Sequence, residues 1–185
     1  MALPTWFTIG IIVTFSPEFA KLQNVKGIAD ASIPISCCYI GITIGDFLSG
    51  LLSQVFRTRR KIMILFLLMS LGSFIWFHFI DGYTPEMYYL YFIILGVSVG
   101  FWAVMVTIAA ESFGTNLRST VTTTVPNFVR GSFLLISMLY TALKSNGVSA
   151  LNAVFITGLI CVTISLVMAW RTEETYGKDL DYVES

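Results

Sequence analysis

The 185-residue chain is 56% hydrophobic and only 12% charged, with eleven basic residues against eleven acidic ones and a mean hydropathy of +0.79. Average soluble domains carry roughly 25% charged residues, so this composition belongs to a chain that lives in a bilayer. A net charge of zero excludes a basic surface for nucleic acid and an acidic interaction tail. The three cysteines, Cys37, Cys38 and Cys161, stand in apolar sequence without CxxC spacing and read as small packing residues rather than metal or redox ligands.

Six apolar segments follow one another, at about 3–20, 32–55, 62–80, 87–110, 121–143 and 149–170, with a tail over 171–185. Most approach the roughly 20 residues that cross a bilayer core. Runs this long and continuous predict helices rather than barrel strands, and hence an all-α membrane protein. The first run meets Ser16, Pro17 and Glu18 before it is long enough to span. A secretory signal would carry Lys or Arg before its apolar run and none does, so the segment reads as a span truncated at its start, with Glu18 at its outer end.

In the second segment Gly41, Gly45, Ser49 and Ser53 recur every four residues, with Gly50 beside them, and predict a smooth helix-packing face; Gly96 and Gly100 repeat the pattern in the fourth. Asp46 lies toward the inner end of the second segment and Glu111 at that of the fourth, where both suit a gate network. The third and sixth segments are nearly featureless, and the lone His78 on the third reads as a bystander. Tyr88, Tyr89 and Tyr91 suggest an interfacial belt with Trp170 at the opposite boundary, and Trp102 is a cavity candidate.

The fifth segment carries a polar stripe. Thr123, Asn127 and Arg130 share one helical face, which Ser137, Tyr140 and Thr141 continue, and Pro126 predicts a kink beside them. Arg130 falls roughly mid-membrane, where a charge is costly unless it meets a partner or water. Two readings stand: an ion pair with Asp46 or Glu111, or a cavity residue that meets a polar or anionic solute.

Cations set the orientation. Arg57, Arg59, Arg60 and Lys61 follow the second segment, Arg118 the fourth, and Arg171 and Lys178 the last, all on one side if each segment crosses once. The opposite side holds Lys21, Lys26 and Lys144 with Asp30, Asp81 and Glu86. Both chain ends are therefore expected on the cytoplasmic side of a plasma or bacterial inner membrane.

Three stretches carry a family resemblance. Gly50, Leu52, Ser53, Gln54, Arg59 and Arg60 resemble the G-x-L-A-D-R-x-G-R-R loop of the major facilitator superfamily, with Gln54 where that family prefers Asp and Arg57 where it prefers Gly. The run from Ala110 to Thr120 is similar to the E-x-F-P-x-x-x-R sequence after the tenth helix of its sugar porters, Gly114 replacing Pro. The tail resembles P-E-T-K-G-K-T-L-E-E at Glu174, Thr175, Gly177, Lys178 and Leu180. The resemblance implies a six-helix half of that fold, helices seven to twelve, in a secondary active transporter that works by alternating access and is coupled to protons. Its solute would be small and polar, a sugar or an organic acid, since the sugar porters' Pro-Trp pair and paired glutamines are not matched.

It further implies that Arg59, Arg60, Glu111 and Arg118, with Asp46 and Gln54 alongside, form an inner-side gate. The partners expected are lipid, the small solute, and the other six-helix half, supplied by a longer protein or by a second copy or partner. A non-transporting receptor or assembly subunit on the same scaffold is the alternative. An enzyme is not expected, because no metal cluster, no nucleophile with its base and no phosphate loop is found. Neither a metal nor a cofactor is called for.

Overall fold

The computed structural model describes residues 1–28 and 30–178, and they are helical with no strand among them. Leu180 of the tail motif lies outside the described residues. Helix α1 (Leu3–Phe7) runs into a π-helical segment (Thr8–Val13), and α2 (Ser16–Leu22) follows after a two-residue turn. Ser16–Pro17–Glu18 therefore does not interrupt the run. Pro17 sits in the first turn of α2, where its missing N–H costs nothing, and the break falls just before it.

Helix α3 (Ser32–Val55) ends at Phe56, and Arg57 turns the chain with a positive φ of 52°. Thr58 then caps α4 (Arg59–His78), its hydroxyl accepting the N–H of Lys61 at 3.3 Å. Thr84 and Pro85 start α5 (Pro85–Val99), and after Gly100 and Phe101 the chain resumes as α6 (Trp102–Glu111). Then come α7 (Thr115–Gly131), α8 (Phe133–Ser145) and α9 (Ala150–Arg171). Pro126 lies inside α7 without ending it; the interruption falls at Ser132.

Four stretches are long and apolar enough to cross a membrane: Ser32–Val55, Arg59–His78, Pro85–Glu111 and Ala150–Arg171. Their outward faces suit lipid. On α9, Ile156, Ile160 and Ile164 form an exposed apolar row at four-residue spacing, and Phe47, Leu51 and Val55 do the same on α3.

The tightest contact in the bundle joins α3 to α5. A Cβ added at Gly41 would lie 2.2 Å from the Ile93 oxygen, at Gly96 2.2 Å from that of Cys38, at Gly45 2.4 Å from that of Val97, and at Gly100 2.6 Å from that of Ile42. Backbone meets backbone along two helical turns, which only glycine permits. Ser49 is fully buried on the same side, but Gly50 has nothing within 4 Å of its added Cβ and is not a packing residue, because it points away from α5.

Aromatic rings pack α1 and α2 against α4. Phe7 meets Phe74 edge-on at 5.1 Å, and Phe19 meets Phe77 at 5.5 Å. Tyr88 and Tyr91 do not form an interfacial belt: both are fully buried, their hydroxyls donating to the carbonyls of Ser16 and Ser73 at 3.0 Å. A buried phenol is stable once its O–H finds such an acceptor. His78 stacks on Phe155 at 4.7 Å, and the three cysteines are free thiols.

The seam sets a sign test with one glycine on α5 and one on α3. Gly96→Ala should lower the thermal midpoint of the detergent-solubilised protein, costing about 1–3 kcal/mol through forced backbone separation. Gly50→Ala should leave the midpoint unchanged or raise it slightly, since Ala is the better helix former. Equal effects at the two positions would contradict the close contact.

Candidate functional site

Two polar constellations stand out in this apolar bundle, one at the end of α4 and one between α1, α3, α6 and α7. At the first, Arg59 is 7% exposed, and such burial demands compensation for its charge. Glu111, the last residue of α6, provides it: Arg59 Nη2 lies 3.0 Å from Glu111 Oε1, and Nε lies 3.3 Å from both carboxylate oxygens. Nη1 donates to Ser53 Oγ at 2.7 Å, and the Tyr176 ring lies 5.1 Å from the guanidinium carbon. Thr175 closes the other side, its hydroxyl donating to Glu111 Oε2 at 2.7 Å.

The tail also caps α4. Glu174 accepts the N–H of Arg59 at 2.8 Å, the N–H of Arg60 at 3.3 Å and the hydroxyl of Thr58, so a carboxylate sits on the free amides of a helix N-terminus. Burial pushes the Glu174 carboxyl up, but the hydrogen bonds from Thr58 and the amides of Arg59, Tyr176 and Arg60 outweigh it and hold it below its ordinary value.

This arrangement departs from the expected gate in four ways. Gln54 is exposed, and its neighbour Ser53 faces the arginine instead, because the buried side of α3 runs through 49 and 53. Arg60 brings only its amide; its guanidinium stacks on Trp170 at 5.6 Å. Arg118 donates to the carbonyls of Ala110 at 3.0 Å and Phe113 at 3.5 Å, fixing the α6–α7 corner. Asp46 belongs to the second constellation.

There, the break at Gly100–Phe101 exposes the first amides of α6, and Asp46 Oδ1 accepts the N–H of Ala103 at 3.1 Å. Asp46, Trp102 and Arg130 line one cavity of about 220 Å³, together with Trp6 and Tyr39. The Arg130 guanidinium carbon lies 5.5 Å from the Trp6 ring centre, and Trp6 meets Trp102 edge-on at 6.3 Å. Arg130 makes no ion pair with Asp46 within 4.0 Å, nor with Glu111, whose carboxylate holds Arg59. The ion-pair reading of Arg130 is thereby corrected. The Trp6 indole N–H is buried without a hydrogen-bond partner.

The predicted stripe on the fifth segment divides. Asn127 faces a separate hollow with Phe128 and Leu135, and its amide donates to the Thr123 carbonyl at 3.0 Å; the Thr123 hydroxyl is taken up by the carbonyls of Ser119 and Thr120. Neither joins Arg130. Ser137, Tyr140 and Thr141 line another hollow, of about 710 Å³, with Glu18 and Lys144. Sequence reasoning did not single out Trp6, Tyr39, Glu174 or Thr175 for these roles. Only the tail pair carried a signal, through its motif.

Residues 1–132 match the family model described as Major Facilitator Superfamily. No curated protein and no solved structure matches the chain.

Because the folded Glu174 titrates below its ordinary value of 4.5, the stability it contributes is complete above that pH and lost as pH falls through the lower folded value. Limited proteolysis of the detergent-solubilised protein should find the tail protected near neutrality and cut progressively in acid. Glu174→Gln should be cut readily at every pH. A wild-type tail equally protected at pH 7 and in strong acid would refute the docking.

Proposed function

Since the chain belongs to the major facilitator superfamily, a family of membrane transporters, we propose that it supplies about one half of a secondary active transporter that moves a small polar solute by alternating access. The solute is a sugar or an organic acid, and proton symport is the coupling. The observation that carries this reading is the cavity where Asp46 and Arg130 face one space without pairing. Asp46 is half-buried and Arg130 exposed along that space, and charges left unpaired at membrane depth are costly, their usual use being to meet a solute or ion in transit.

The inner cluster supports the same reading. Arg59, Glu111 and the docked tail form a closed polar plug on the side richest in cations, which orients as cytoplasmic. It acts as a latch that holds one state and parts when the helices rock. The other six helices come from a further segment of the same protein or from a second chain. The assembly works in a plasma or bacterial inner membrane.

Arg130→Gln tests the cavity. In the assembled transporter, solute uptake at low concentration should fall about 10- to 100-fold, the worth of one hydrogen bond to a charged group. Unchanged uptake would reject the cavity role. Solute bound but never accumulated would favour a receptor on the same scaffold.

A further inference from the structure

The transport reading leaves the solute broad, and the cavity's chemistry narrows it. Two opposite charges line about 220 Å³, room for roughly seven water-sized groups. A purely structural ion pair gains its energy by contact. Here the contact is not made: each charge is held by something else, Asp46 by the Ala103 amide and Arg130 by the Trp6 ring.

The neutral polar groups are few. The Thr5 hydroxyl at the cavity's edge is already donated to the Val99 carbonyl at 3.1 Å, leaving Tyr39 as the one other hydroxyl among the lining residues. A polyol would find few neutral partners there. An oxyanion finds the Arg130 guanidinium, which the Trp6 ring supports from the same cavity wall. An ammonium finds Asp46 in a cavity that Trp102 and Tyr39 also line, and aromatic walls favour alkylammonium groups. The Ala103 amide at the N-terminal end of α6 gives Asp46 Oδ1 one hydrogen bond and leaves its other oxygen for a solute.

We propose that the cavity binds a small zwitterion, its carboxylate at Arg130 and its ammonium at Asp46. The proposal deepens the transport reading and rests on it, narrowing a sugar or organic acid to an organic acid that also carries an ammonium.

Isothermal titration of the full-length protein in nanodiscs tests this with four probes of similar size. L-Alanine carries both charges, L-lactate replaces the ammonium by hydroxyl, alaninol replaces the carboxylate by hydroxyl, and glycerol carries neither. Alanine should bind at least about tenfold more tightly than lactate or alaninol, since each lacks one charge-assisted bond, and glycerol should not bind. Arg130→Gln should reduce alanine to the level of alaninol, and Asp46→Asn to the level of lactate.

The wild-type ranking alone decides the matter, so a variant that fails to fold does not shelter the proposal. Lactate or glycerol binding as tightly as alanine overturns it, as does an absence of alanine binding. Uptake in proteoliposomes separates the two readings. Accumulation of glycerol or lactate with alanine inert would leave transport standing and remove the zwitterion, whereas alanine bound but not accumulated would do the reverse.

Discussion

A charge inside a low-dielectric bundle must be neutralised where it stands, and the Arg59–Glu111 pair shows what that demands of the chain. The guanidinium also requires Ser53 from α3, and the carboxylate requires Thr175 from beyond α9. One buried cation thus ties the ends of α3, α4 and α6 to a segment more than a hundred residues later. Glu174 extends the tie by capping α4, so the same few atoms start a helix and dock the tail.

The second charged pair is governed by backbone geometry. Glycines bring α3 and α5 into contact, and the last of them, Gly100, also ends α5. That interruption frees the amides of α6 directly beside α3, where Asp46 receives one of them. Packing and site are therefore one construction: the close approach that only glycine allows presents a helix N-terminus to a carboxylate. Arg130, on the far wall, keeps its own support in Trp6 and leaves the space between them open. The contrast with Arg59 is informative, because one pair is sealed and the other is held apart.

Much of the fold was legible because its causes are local. Apolar length and continuity announce helices, and the four-residue spacing of glycine on α3 and α5 suggests a seam; added Cβ atoms at Gly41, Gly45, Gly96 and Gly100 would meet backbone within 2.2–2.6 Å. Gly50 breaks the rule since spacing alone cannot say which face of a helix is turned inward. Tyr88 and Tyr91 misled for a related reason: a tyrosine near a helix start reads as interfacial unless a carbonyl across the bundle is known to receive its hydroxyl. The site was legible in its charges and obscure in its supports. Asp46, Glu111 and Arg130 are conspicuous in apolar sequence, but their partners are a serine, a threonine, a backbone amide and a tryptophan ring, types that occur everywhere in such a chain. Distances across four helices decide those pairings, and no periodicity records them.

The central claim is that the Arg59–Glu111–tail plug closes one state of a moving transporter, and hydrogen exchange at the Arg59 and Arg60 amides tests it most directly. Both donate to Glu174 when the tail is docked, so their protection reports the plug itself. In the assembled transporter in nanodiscs, protection at these two amides should change at least about tenfold when a transported solute saturates the cavity, as expected of a local opening coupled to binding. Protection that is identical with and without solute would mean that the plug is a fixed part of the fold, and the latch would have to be abandoned.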